Sequence, residues 1–295
     1  MKEKKKKFSI KPYLLIAPGM AGIFIFVIYP LIKLVILSFY DTNLLTPSKT
    51  KYVGLLNFTK VFQQESFKKA IINTSIFTLF SVLLILVIAL ILSVFLGHKA
   101  SPMNSAVQIA IFTPHVVSMV SVALIWMWMM DPSYGILNVV LKAMGMPPSK
   151  WLQSTDTALS SIIFVNVWKS IGYYTLILIA ALQSVPTSIY EAADLDNAGT
   201  LRTFFRITLP MISPQIFFCV IIMTIGSFKV FETVRVMTEG GPNNATTSLV
   251  YLIYQQVFSN QRIGYGAAIG VVLFVIVGIL TAVYFGLLSK KVYYQ

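Results

Sequence analysis

Charges lie where an apolar chain can least tolerate them. The stretch "SFKVFETVRVM" sets Lys229, Glu232 and Arg235 at successive three-residue intervals, which places them on one side of a helix. A second stretch, "IIFVNVWKSIGYY", holds Asn166 and Lys169 three apart, with Trp168, Tyr173 and Tyr174 beside them; Phe228 and Phe231 flank the first group. Ring faces can stack on the CH patches of a polyhydroxylated solute, while amide, ammonium and carboxylate groups pair with its hydroxyls. Asn166, Lys169, Tyr173, Phe228, Lys229, Phe231, Glu232 and Arg235 are therefore candidates for the wall of a polar passage. The plainer alternative is that Glu232 neutralises its two basic neighbours and ties its helix to the rest of the molecule. The net positive charge of the group also admits an acidic sugar or a phosphorylated polyol.

A second polar group is "SIYEAADLDNAGTLRTFFRITLP", residues 188–210. Pro186 breaks the helix before it. Ser188 and Glu191 have capping-box spacing, with Ser188 as N-cap. Ile189, Ala192 and Ala193 would share one face of a short helix. Within "DNAG", Asn or Gly can close that helix at positive φ. A second helix is expected near Thr200, with Leu201, Phe204, Phe205 and Thr208 as its apolar stripe and Arg202 and Arg206 opposite. Pro210 and Pro214 bracket the start of the next hydrophobic run. Two short helices at an angle, flattened by alanines, make a knob able to plug into a partner's groove. The alternative is an interfacial amphipathic turn, for which so acidic a face is poorly suited.

The elements that hold these groups are set by composition. Of the 295 residues, 57% are hydrophobic and only 11% charged. Residues 70–97, 100–130 and 263–289 contain no charge, and each exceeds the about 20 residues that cross a bilayer as helix. Three further runs carry few charges. The expected fold is an all-α polytopic membrane protein with six transmembrane helices, near 13–40, 70–97, 105–130, 157–181, 211–237 and 263–289. A basic cytoplasmic segment, 1–12, precedes a single transmembrane domain, 13–295, with the polar loop 186–210 between the fourth and fifth spans. The first run is too long for a removable signal peptide, and no small-residue cleavage site follows it.

The net charge of +13 is spread along loops and termini rather than over one soluble face, which argues against nucleic acid as a partner. The run "KEKKKK" at residues 2–7 reads as a topological anchor against anionic lipid. With Lys290 and Lys291 near the other end, it puts both termini, and hence the loop 186–210, in the cytoplasm. Lys49, Lys51, Lys60, Lys68 and Lys69 in the first outer loop oppose that assignment. No phosphate-cradling G-x-x-x-x-G-K-[ST] occurs, so any ATP-driven step belongs to another chain. His98 and His115 show no zinc spacing, and the single Cys219 excludes an internal disulfide. An intramembrane hydrolase would need a nucleophile or metal motif that does not occur. A self-contained ion-coupled carrier would leave the polar loop without a purpose.

The polar loop resembles the EAA loop of the permease subunits of binding-protein-dependent ABC importers. The family pattern E-A-A-x-x-D-G-A followed by F-x-x-I-x-L-P is met in register by Glu191, Ala192, Ala193, Asp196, Ala198, Phe204, Ile207, Leu209 and Pro210. Asn197 stands where the family usually has Gly. "APGMAGIFIFVIYPLIKLVILSFYD", "VMTEGGPNNATTSLVYLIYQQVF" and "GYGAAIGVVLFVIVGIL" resemble the sugar-type members, the maltose/oligosaccharide and glycerol-phosphate permeases. The resemblance implies import of a carbohydrate across a bacterial cell membrane. It implies a heterodimer with a second homologous permease, two cytoplasmic ATPase subunits and an extracytoplasmic solute-binding protein. Glu191, Ala192, Ala193, Asp196, Asn197, Ala198, Phe204 and Pro210 would couple to an ATPase subunit. ATP and Mg would bind there, and no cofactor on this chain. Outer loops such as "TEGGPNNATTS", stiffened by Gly240, Gly241 and Pro242, would meet the solute-binding protein.

Overall fold

The computed structural model describes residues 11–43, 45–97 and 101–288. The expectations for the lysines at residues 2–7, His98, Lys290 and Lys291 lie outside the described residues. Two compact units divide the chain, residues 11–62 with 255–272 and residues 63–254 with those from 273 onward.

In the first unit, α1 (Lys11–Ile23), a π-helical turn (Phe24–Ile28) and α2 (Tyr29–Leu37) form one apolar rod. The wide turn has a local cause. Pro30 supplies no N–H and its ring would press on the carbonyl four residues back, so the helix loosens by one residue and Tyr29 N–H reaches Phe24 O instead. Two short strands, β1 (Tyr40–Asp41) and β2 (Lys51–Tyr52), pair antiparallel with Tyr40 opposite Tyr52. From α3 (Leu56–Gln63), the Asn57 amide donates to Ser38 O and Tyr40 O, both at 2.9 Å, and so fixes the end of the rod.

The second unit holds α4 (Glu65–Gly97), α5 (Pro102–Val116), α6 (Met119–Met129), α7 (Ile136–Ala143), α8 (Ala158–Gln183), α9 (Thr187–Leu195), α10 (Thr200–Thr203), α11 (Leu209–Met211), α12 (Ser213–Phe228), α13 (Glu232–Met237) and α14 (Leu249–Tyr254). The last helix, α15 (Ile263–Leu288), starts in the first unit and runs into the second. The core lies where α4 and α8 pack: Phe77, Ile85 and Ala89 meet Ile162, Val167, Tyr174 and Leu178, with Cys219 and Met223 of α12. Cys219 is fully buried, a packing residue.

The all-α polytopic architecture is as expected. Among the described residues five helices are long and apolar enough to cross a bilayer: Tyr13–Leu37, Glu65–Gly97, Ala158–Gln183, Ser213–Met237 and Ile263–Gly286. A sixth span arises only if α5 and α6 are taken together, and these are bent by 99°. The expected span over 105–130 is thus broken, just past the Pro114–His115 step where a kink is expected. Val117 and Ser118 are extended, and the carbonyls left open by the break are taken by a side chain from α8, described below.

The fifth span is broken too. α12 stops at Phe228 and α13 starts at Glu232, so Lys229 does not share a helix with Glu232 and Arg235, contrary to the expected three-residue register. Two tight backbone bonds, Lys229 N–H to Gly226 O and Val230 N–H to Ser227 O, end α12, and the Ser248 hydroxyl takes the Val230 carbonyl at 2.7 Å. A further difference concerns charge. The Arg235 guanidinium pairs with Glu239 at 2.7 Å, one turn on, rather than with Glu232.

Candidate functional site

A cavity of about 390 Å³ opens between α4, α6, α8 and the broken α12–α13 span. The α8 wall is a stripe at four-residue spacing: Asn166, Ser170 and Tyr174. Phe77 and Ile85 line it from α4, and Met119, the first residue after the break in the third span, closes one side. Ser227, Lys229, Phe231, Glu232 and Thr233 come from the break in the fifth span. The break is what makes this polar lining. It turns a stretch of backbone and both charged side chains toward one space, where an unbroken helix would put Lys229 and Glu232 in a row with Arg235.

Four of the residues singled out by spacing, Asn166, Lys229, Phe231 and Glu232, thus meet in one cavity. The other four sit elsewhere. Phe228 is buried in packing. Arg235 holds Glu239 and lies over the Tyr254 ring, 5.4 Å from its centre. Tyr173 stacks on His115, centroids 4.4 Å apart and planes within 9°. Lys169 reaches α5, where its ammonium donates to Pro114 O at 3.1 Å, His115 O at 2.9 Å and Val117 O at 2.9 Å. Spacing missed Ser170, Ser227, Thr233 and Met119. The 166–170–174 stripe was the available signal for the first; the others depend on helix breaks.

The α5–α8 crossing is unusually close for a sequence reason. Gly172 has no side chain, and a Cβ there would lie 1.9 Å from Ile111 O and 2.4 Å from Ile111 C. Lys169, Gly172 and Tyr173 share one helix face, so contact at Gly172 brings Lys169 onto the end of α5.

The polar loop forms a short helix, α9, closed by a left-handed residue. Asn197 has φ +51°, Ala198 N–H bonds Ala193 O at 2.9 Å, and Asn197 N–H bonds Asp194 O at 3.0 Å. This is a Schellman closure, with Asn accepting the conformation usually left to Gly. The expected capping box does not form. Pro186, extended at φ −58° and ψ 133°, is the N-cap, so α9 starts two residues earlier and Ser188 lies inside its first turn.

Tyr190 packs with Val185, Ala181 and Ile212, and its hydroxyl meets Thr208 Oγ1 at 3.3 Å. That contact rolls α9 so that Ala193 is buried within the chain while Ala192, Glu191, Asp196 and Asn197 stay exposed; Ala198 is half-buried. The expected common face of Ala192 and Ala193 is therefore split. The second helix departs from expectation as well. α10 is short and passes through a π-helical turn, Phe204–Thr208, ahead of Pro210, as at Pro30. Leu201 and Phe205 are exposed rather than part of an apolar stripe on the core, and Phe204 and Pro210 are half-buried. Leu195, 86% exposed, adds a third large apolar side chain at the surface of this loop.

The segment 238–248 folds on itself. Gly240 has φ +79°, and a Cβ there would strike Thr247 Oγ1 at 2.6 Å. Thr247 and Thr246 hydroxyls donate to Gly240 O and Gly241 O at 3.0 and 2.8 Å. The Asn73 amide donates to Asn244 O and Thr247 O, and Thr74 Oγ1 accepts from Leu249 N–H at 3.0 Å.

Apolar spans, two of them broken beside a polar cavity, and a surface-exposed helical loop define a polytopic membrane protein with a polar space among its helices. The chain matches the model of the binding-protein-dependent transport system inner membrane component over residues 89–293, and it belongs to that family. It is 33% identical to the sulfoquinovosyl glycerol transport system permease protein SmoG of Agrobacterium fabrum (strain C58 / ATCC 33970), over 94% of this chain and 90% of that one. It is 34% identical to the sn-glycerol-3-phosphate transport system permease protein UgpA of Yersinia pestis, over 96% of both. Among solved structures it resembles a chain of a bacterial alginate ABC transporter in complex with an alginate pentasaccharide-bound periplasmic protein. The TM-score is 0.81 at 26% identity, over 93% of this chain and 94% of that one.

Proposed function

We propose that this chain is the membrane-spanning permease subunit of an ATP-driven importer that moves a carbohydrate, delivered by an extracytoplasmic solute-binding protein, into the cytoplasm. A second homologous permease completes the passage, and of two ATPase subunits carrying ATP and Mg one docks on α9. Both termini and the loop 186–210 face the cytoplasm in this reading. The cavity is the part of the passage this chain supplies. The observation that carries the reading is the exposed α9, held against α8 and α12 by Tyr190 and presenting Glu191 and Ala192 to a partner, in a chain of this family.

The cavity lining favours a neutral polyol over a strongly charged one. Lys229 and Glu232 face it together with amide, hydroxyl and ring groups, so neither sign of charge prevails. The phosphate named for UgpA and the acidic alginate of the structural neighbour keep an acidic sugar as the second reading, with Lys229 as its cation.

The test is the reconstituted complex with its binding protein, assayed for uptake and ATP hydrolysis with neutral and acidic oligosaccharides. Glu191→Ala should lower uptake and substrate-stimulated hydrolysis together. Uptake undiminished in Glu191→Ala would refute the coupling role, and stimulation by acidic sugars alone would select the second reading.

A further inference from the structure

One cationic side chain within the described spans makes three hydrogen bonds away from the cavity wall. An ammonium has three donors and no acceptor. Those of Lys169 meet three backbone carbonyls, Pro114 O, His115 O and Val117 O, at the place where the third span breaks. The end of a helix leaves its last carbonyls unpaired, and in an apolar medium each such group is costly. A cation there also faces the negative end of the helix dipole. The same face of α8 adds Gly172, which lets the α5 backbone come close, and Tyr173, which stacks on His115 of the same turn. Immediately past the break stands Met119, which lines the cavity, as do Asn166 and Ser170, on either side of Lys169 in sequence.

We propose that Lys169 is a positioning residue that clasps the break in the third span. Through it the position of Met119, and so the width of the cavity, is set from α8. Lys169 does not touch the transported solute. It acts by replacing the missing helical donors, which lets the span turn through 99° at a fixed point. This goes beyond the permease reading but rests on it for its consequence in transport.

The test uses the whole reconstituted complex in a Cys219-free background carrying Met119→Cys. The rate at which a water-soluble thiol reagent modifies Cys at position 119 reads the clasp directly, without reference to transport. Lys169→Met keeps the length of the side chain and removes its donors. The expected result is a rise of at least threefold in modification rate and a fall of about tenfold in uptake, with Lys169→Arg within twofold of the parent in both. A modification rate in Lys169→Met equal to that of the parent would overturn the proposal. So would a Lys169→Arg variant no better than Lys169→Met. If Lys169→Met does not assemble, Lys169→Gln decides: its amide keeps part of the donor set, an intermediate rate supports the clasp and a parental rate overturns it. Absence of uptake in the parent complex would sink the permease reading alone, because the thiol rates still report on the clasp.

Discussion

Replacing Gly172 by Ala adds a single methyl group at the closest approach between α5 and α8. Built on the observed backbone, the new Cβ lies 1.9 Å from Ile111 O, 2.4 Å from Ile111 C and 2.7 Å from Phe112 N. All three are backbone atoms, so no rotamer change relieves the contact. The helices must part by roughly 1 Å or more, because the interior is close-packed. Overpacking of this kind costs about 1–3 kcal/mol. Parting the helices also stretches the three Lys169 bonds, and a hydrogen bond to a charged group contributes about 1.5–3 kcal/mol. A loss of about 3–5 kcal/mol is expected for Gly172→Ala. The assay is the thermal midpoint of the purified complex in nanodiscs, beside Gly278→Ala as control. A Cβ at Gly278 meets nothing within 4 Å, and the better helix propensity of Ala should leave that variant equal or slightly more stable. A midpoint for Gly172→Ala as high as that of Gly278→Ala would refute both the close crossing and its link to Lys169.

Three other outcomes are expected. Ala192→Trp should leave the permease folded but abolish co-purification of the ATPase, whereas Ala193→Trp should lower the thermal midpoint itself, because Ala193 is buried within the chain. Glu232→Gln should change uptake while subunit stoichiometry stays intact, since Arg235 has its own partner in Glu239; loss of assembly would assign Glu232 a structural role. Thr200→Cys in a Cys219-free background should react with an impermeant thiol reagent only from the cytoplasm, as Thr200 is exposed next to α9; reaction from outside would reverse the proposed orientation.

The spans were legible because their signal is local. A run of apolar residues long enough to cross a bilayer needs no partner to be read. So was the left-handed turn at Asn197, which depends on the steric tolerance of one side chain. The breaks were less legible: Pro114 signals a kink in the third span, but not one of 99°, and nothing local marks the break in the fifth. Val117 and Ser118 look like any two residues of an apolar run, and what stabilises their extended backbone is Lys169, some fifty positions later in the chain. Lys229 and Glu232 have helical spacing, but the Val230 carbonyl between them is bound by Ser248, well outside the window that spacing covers. Candidate-site residues divided in the same way. Asn166 and Glu232 were read from type and neighbourhood, while the separation of Ala192 from Ala193 follows from the packing of Tyr190. The capping box failed because Pro186, already extended, starts the helix before Ser188 can.

The segment 238–248 owes its shape to bonds of one chemical kind. Apart from the Arg235–Glu239 pair, hydroxyl, carboxamide and peptide groups make the ties described for it: Thr247 to Gly240, Thr246 to Gly241, Asn73 to Asn244 and Thr247, Leu249 to Thr74, and Ser248 to the fifth-span break. None of these groups gains or loses a proton across the pH range in which cells live, and none is an ion pair that dissolved salt could screen. The medium bathing this surface can acidify or change in salinity without loosening these ties. Among the described residues the segment takes part in one ion pair, through Glu239 with Arg235 near its start, and salt can weaken that contact alone. In the orientation proposed above this segment faces the water outside the cell, whose acidity and salt the cell does not set, and ties built from groups that do not titrate suit that place.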